Sequence, residues 1–161
     1  MVTIQYETGE HIEVAGSSLV GAEMANLNLH RAVLRGQDLR RANLSGANLR
    51  SACLDDANCN EANLSRARMP ACRSERTTFV RARLEGAFMR CGFFDHADFT
   101  CANLSGANLG GASFSGAVFG GADLSGADLE GAELRGASAD ASTRWPEGFS
   151  PAEHGVVLLD N

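Results

Sequence analysis

Glycines set five residues apart are what most resembles a chemical motif in this chain. Gly106 and Gly111 fit the G-x-x-x-x-G frame of a phosphate loop, whose backbone N–H groups cradle phosphate and whose following lysine reaches the terminal phosphates. The chain supplies no such lysine: its 14 basic residues are all arginine. Metal chemistry fares no better, since C-x-x-C, H-x-x-x-H and H-E-x-x-H spacings are all missing. His11, His30, His96 and His154 are scattered. His96, flanked by Asp95 and Asp98, has the right neighbours for a general base, but its place in the repeat described below points it into water. Cys59 and Cys72 fall at inward positions, whereas Cys53, Cys91 and Cys101 fall at outward ones. Nothing beside the outward thiols lowers their pKa. The expectation is a chain that is not an enzyme and holds no cofactor and no metal.

The glycine spacing has another origin. From Ser17 to Ala141 the sequence repeats every five residues in one register through 25 pentads. The first position is Ala in 19 of them; the third is Leu in 14, Phe in five and Met in three. The second is Asp or Asn in 11, more than any other kind, and the fifth is Gly in 11. A period of five suits neither regular element. In a straight strand an odd period throws successive Leu to opposite faces, and on a helix it spreads them around the whole circumference. Ala and Leu both stay inward only if the chain bends to the same side after every pentad, with glycine easing turns of positive φ.

The phenylalanines set the number of pentads per coil. Phe79, Phe99 and Phe119 lie 20 residues apart, as do Phe94 and Phe114. Four pentads per coil stack these into two ladders on adjacent sides and leave Leu and Met on the others, including Leu44, Leu64, Leu84, Leu104 and Leu124. Like then stacks on like. The repeat makes about six coils, a rod roughly 30 Å long at ~4.8 Å per layer.

With the Ala-(Asp/Asn)-Leu-x-x pattern in view, the chain resembles the pentapeptide repeat family over Ser17 to Ala141. That resemblance implies an all-β fold, a right-handed quadrilateral β-helix with Ala and Leu inside. The domain plan is a capping hairpin over 1–16, the β-helix over 17–141, and a C-terminal cap and tail over 142–161, in one structural domain. Trp145 and Phe149 are suited to cover the last coil, and Val156 to Leu159 to add a strand or an interface.

One stretch breaks the repeat's surface rule. From residue 68 to 93 the second position reads Arg68, Arg73, Thr78, Arg83, Phe88 and Phe93, never Asp or Asn. Arg76, Arg81 and Arg90 add outward charge, while Cys72, Ser74 and Thr77 weaken the core pattern. Exposed aromatics beside arginine resemble interface hot spots, so this belt is the candidate site for an unknown protein partner.

Charge also changes along the chain. Ser17 to Cys91 holds 12 Arg against seven acids, and Gly92 to Ala141 one Arg against seven. With both signs expected on every side and a net charge of −6, no continuous basic stripe and no direct nucleic-acid binding are expected. The family resemblance offers an alternative: mimicry of duplex DNA towards gyrase or another type II topoisomerase, conferring resistance to quinolones or other gyrase poisons. It also implies a possible homodimer through the C-terminal tail; the charge gradient offers axial stacking instead. No apolar run approaches the ~20 residues of a membrane helix. The start lacks a secretory pattern and the five cysteines lack paired spacing, so a cytoplasmic protein with no membrane contact is expected.

Overall fold

Every second-position residue through the body of the repeat forms a parallel bridge with the residue 20 positions later, from Glu23↔Asn43 to Val118↔Ser138. These steps are seen in a computed structural model that describes residues 1–160. The last bridge, Asp123↔Arg144, spans 21: one extra residue enters as the repeat ends. The bridges sort the pentads into four columns that recur in turn. Column one holds Asp38, Asn58, Thr78 and Asp98; column two Asn43, Asn63, Arg83 and Asn103; column three Asn28, Asn48, Arg68, Phe88, Asn108 and Asp128; column four Val33, Cys53, Arg73, Phe93, Ser113 and Glu133. Strand pairing is confined to such short contacts because each pentad ends in a turn.

The hydrogen bonds explain the consensus position by position. In the pentad Ala42–Gly46, the second and third N–H groups pair with the coils on either side (Asn43 to Ala22 O, Leu44 to Asn63 O), and Gly46 N–H donates to Ser65 O. Ala47 N–H closes the turn on Leu44 O. The fourth N–H, of Ser45, has the Asn43 Oδ1 as acceptor at 3.2 Å. The same bond recurs from Ser65 to Asn63, Ser105 to Asn103 and Glu130 to Asp128. The Asp or Asn of the consensus is therefore an Asx turn that satisfies an otherwise orphaned donor. From Gly21 to Gly136 the fifth residue is left-handed whether or not it is glycine: φ is +65° at Gly106 and still +53° at Ala71. An L-residue in that region carries roughly 1–2 kcal/mol of strain.

First and third positions fill the interior. Leu44, Leu64, Leu84, Leu104 and Leu124 are fully buried, as are Phe79, Phe94, Phe99, Phe114 and Phe119. Phe79 and Phe99 stack at 5.0 Å between centroids, Phe99 and Phe119 at 5.3 Å, and Phe94 and Phe114 at 5.3 Å. The two ladders meet at a tilt, with Phe94 and Phe99 6.0 Å apart, and edge-on where Phe99 and Phe114 lie 5.8 Å apart. The irregular core residues are satisfied: Thr77 Oγ1 donates to Leu54 O at 2.6 Å, and Cys72 Sγ and Ser74 Oγ lie 3.5 Å apart.

At the N-terminus β1 (Val2–Tyr6) pairs antiparallel with β2 (His11–Val14), and its other edge pairs with β3 (Ala32–Val33). Ile4 and Val14 enter the core. At the other end β4 (Ser138–Ala139) takes β5 (Val157–Leu158) in parallel. Trp145 lies 5.9 Å from Phe119 and 5.2 Å from Phe149, so the two half-buried aromatics continue the interior ladder outward. The tail expected over 142–161 includes Asn161, which lies outside the described residues. Among the described residues no helix is long and apolar enough to cross a membrane.

Candidate protein-interaction surface

All eight side chains of the belt are exposed, but the columns divide them. Arg68, Phe88 and Arg90 belong to column three and line one cleft of about 490 Å³ together with Arg50, Pro70 and His30. Arg73, Arg76 and Phe93 belong to column four, Arg83 to column two, and Arg81 to column one. The belt is thus a band around the molecule, and only three of its residues share a concave surface.

Ion pairing divides them almost the same way, Arg81 on column one being an exception that also stands unpaired among the described residues. Arg73 donates to the buried carboxylate of Asp55 at 2.8 Å. Arg76 holds Asp56 at 2.7 Å and approaches Glu75 at 3.4 Å; the Arg76 hydrogen bond, with Arg35 adding to it, draws the Asp56 carboxyl below its usual range. Arg83 meets Glu85 at 3.5 Å. Arg50, Arg68 and Arg90 have no ion pair among the described residues.

The columns also correct the expected charge pattern. The outward positions of column three in its first four layers, 28, 30, 31, 48, 50, 51, 68, 70, 71, 88, 90 and 91, hold Arg31, Arg50, Arg68 and Arg90 and no carboxylate. Arg31 is covered by Glu7 from the hairpin at 3.0 Å. A basic strip does exist, contrary to the sequence expectation. It stayed hidden because acids from the other three columns intervene along the chain. Sorting the pentads by four, which the phenylalanine spacing already justified, would have exposed it and added Arg50 to the site.

Backbone satisfaction separates the belt's departures from one another. Where the second residue is not Asp or Asn, the coil before can supply the acceptor: Glu75 N–H donates to Asp55 Oδ1 and Val80 N–H to Asn60 Oδ1, both at 3.0 Å. After Arg68 the fourth residue is Pro70, which has no N–H to satisfy. Phe88 and Phe93 have no oxygen to offer Arg90 and Asp95, yet they stand 39% and 47% exposed. These two aromatics give up the Asx bond and leave apolar area in water.

No group of His, Cys, Asp and Glu among the described residues could hold a metal ion. His96 is exposed and lies against Gly116. Cys59 and Cys72 are buried, and burial drives both thiols upward, that of Cys72 to about 12. Burial also raises the Cys53 thiol.

The pentapeptide repeats pattern matches this chain in eight copies, over residues 17–56, 42–73, 57–90, 79–116 and 102–138. The chain belongs to the pentapeptide repeat family. No curated protein matches it. Among solved structures it is similar to a pentapeptide repeat protein from Nostoc PCC 7120, with 31% identity over 76% of this chain and 84% of the other and a TM-score of 0.37. It is also similar to HetL of Nostoc sp. PCC 7120, a pentapeptide repeat protein involved in heterocyst differentiation regulation, at 19% identity over 84% and 83% with a TM-score of 0.38. A third is a trypsin-treated form of QnrB1, a plasmid-mediated fluoroquinolone resistance protein, at 21% identity over 79% and 77% with a TM-score of 0.43.

Proposed function

We propose that this pentapeptide repeat protein is a non-enzymatic interaction module, a rigid rod that presents side chains to a protein partner. The observation that carries this reading is the pair Phe88 and Phe93. An outward phenylalanine at the second position forgoes a hydrogen bond worth about 0.5–1.5 kcal/mol net and exposes apolar surface, so it opposes stability. Departures from a fold's own local rules are expected at functional sites, and aromatics next to arginine are favoured interface anchors. The right-handed quadrilateral winding in about six coils, its four sides supported by the 20-residue bridge step and its hand resting on the family alone, belongs to the same proposal. So do a cytoplasmic setting, the absence of cofactors, and self-association through Val157–Leu159, which is about half exposed. The four-arginine strip on column three weighs against DNA mimicry, which needs an acidic surface facing the topoisomerase.

Affinity capture from the native cell extract tests the reading. The double variant Phe88→Asn, Phe93→Asn restores the repeat's own chemistry and leaves the core untouched. It should lose the captured protein while its melting temperature stays the same or rises. Capture undiminished by the double variant refutes the assignment.

A further inference from the structure

We propose that the column-three cleft is a docking site for a short acidic segment of a partner protein, held by Arg50, Arg68 and Arg90 around Phe88; this rests on the interaction-module reading above. The three guanidinium groups come from three successive layers, so Arg50 to Arg90 spans about 10 Å at 4.7–4.9 Å per layer. None is neutralised by a carboxylate among the described residues, whereas Arg73, Arg76 and Arg83 all are. Three planar forks with free donors match carboxylates, which accept bidentately. The cleft of about 490 Å³ that they line with Phe88 and Pro70 gives the segment an apolar floor.

The strip's ends set the size of the ligand. Towards the N-terminus Glu7 already occupies Arg31, and Glu10 lines the neighbouring cleft with Asn28 and His30. Towards the C-terminus the column closes with Asp128 and Glu130. An anion of two or three carboxylates fits between these negative ends. A duplex needs about 34 Å for one turn, and a longer phosphodiester chain following the column would meet the terminal carboxylates. The net charge of −6 likewise disfavours a polyanion and leaves a local, short-range match as the source of attraction. A comparable cleft on column two is lined by Arg66, Arg83 and Glu85, but there Glu85 pairs with Arg83 and accepts from Ser65 and Asn103. That cleft carries its own carboxylate, which would repel an acidic segment, and Arg66 is its single arginine without an ion pair among the described residues.

The probe is a fluorescein-labelled peptide alternating three glutamates with serines, followed by anisotropy at low salt against the full chain. Its controls are the glutamine version and a single-stranded oligothymidylate of equal charge. The peptide should bind, its affinity should fall with salt, and R50S/R68N/R90S should weaken it about tenfold, the sum of three exposed charge pairs. R66S/R81S, which removes arginines from columns two and one, should leave it unchanged. Cys91 lines the same cleft, so the peptide should also slow its alkylation by iodoacetamide and spare the rate at Cys101. Should the triple variant melt early, R68N alone carries the test, since it restores the residue type of Asn48 and Asn108.

Equal affinity in the triple variant, tighter binding of the oligonucleotide, or no peptide binding each overturns the proposal. If peptide binding fails while capture still depends on Phe88 and Phe93, the interaction-module reading stands and only the acidic-segment assignment falls. If the peptide binds by the arginines but no protein is captured, it is the broader reading that fails.

Discussion

Gly92 is the position where the repeat's own statistics give the wrong advice. It occupies a first position, where Ala stands in 19 of 25 pentads, so Gly92→Ala looks like a stabilising return to consensus. The structure says otherwise. A Cβ built on Gly92 would lie 3.0 Å from Phe94 Cζ, closer still to Cε2, and 3.1 Å from Met89 O. The ring cannot move away freely, because Phe94 is stacked on Phe114 at 5.3 Å and packed against Phe99 at 6.0 Å. Gly92 does not have a positive φ, so the cost is collision alone and not backbone strain. Overpacking of this kind destabilises by about 1–3 kcal/mol, or roughly 2–12 °C in Tm for a chain of this size.

Urea unfolding followed by Trp145 fluorescence and by far-ultraviolet circular dichroism measures it, with both signals required to coincide because solenoids can unfold in parts. A double-mutant cycle isolates the cause. In a Phe94→Leu background the colliding ring atoms are gone, and Gly92→Ala should cost less by at least about 1 kcal/mol, within the usual coupling of contacting residues. A neutral or stabilising Gly92→Ala, or the same cost in both backgrounds, refutes the reasoning.

Other perturbations read other parts of the structure. Phe99→Ala removes the centre of a three-ring stack and should cost about 3–5 kcal/mol by the same unfolding assay, more than truncating either terminal ring. Gly106→Ala, where a Cβ meets nothing within 4 Å, isolates the left-handed φ and should lower stability by about 1 kcal/mol, while Ala71→Gly should raise it. Iodoacetamide under native conditions should label Cys91 and Cys101 and spare Cys59 and Cys72, as counted by intact-mass spectrometry; full labelling of the buried pair would contradict the packing. The depressed pKa of Asp56 means that its pairing with Arg76 and Arg35 stabilises above the unfolded-state value of about 3.9 and is lost as pH falls through the lower folded value. Asp56→Asn should therefore be less stable than the parent at pH 7 and converge with it in acid, as seen in paired melting curves.

The interior was legible in the sequence because each buried position obeys a periodic rule. Phe79, Phe99 and Phe119 sit where a 20-residue step puts them, and even the departures Cys72, Ser74 and Thr77 remain buried. The surface was only half legible. Reading along the chain groups Arg68 with Arg83 and Arg76, which lie in different columns, and separates Arg68 from Arg50, which shares its cleft. Two other facts needed coordinates. The partner of Glu75 N–H is an Asp in the preceding coil, and no spacing rule announces that Asp55 will turn its carboxylate inward. The room that Phe94 takes above Gly92 is a matter of ring orientation, which periodicity does not encode.

The same distinction bears on what kind of surface the belt is. Random drift in a tolerant repeat should leave its departures either neutral or repaired. Several are repaired: Pro70 removes the donor that Arg68 cannot satisfy, and Asp55 and Asn60 take over for Arg73 and Thr78. Phe88 and Phe93, like Arg83, are left unrepaired by those devices, and Phe88 lies in a cleft whose arginines have no ion pair among the described residues. A feature that costs stability at a point where charge is also left uncompensated has two independent departures from the fold's needs in one place. Replacing Phe88 with Asn should therefore stabilise the rod by about 0.5–1.5 kcal/mol and weaken partner capture together. A stability gain with capture intact would return Phe88 to the class of tolerated drift, and a stability loss would show that the ring packs for the fold after all.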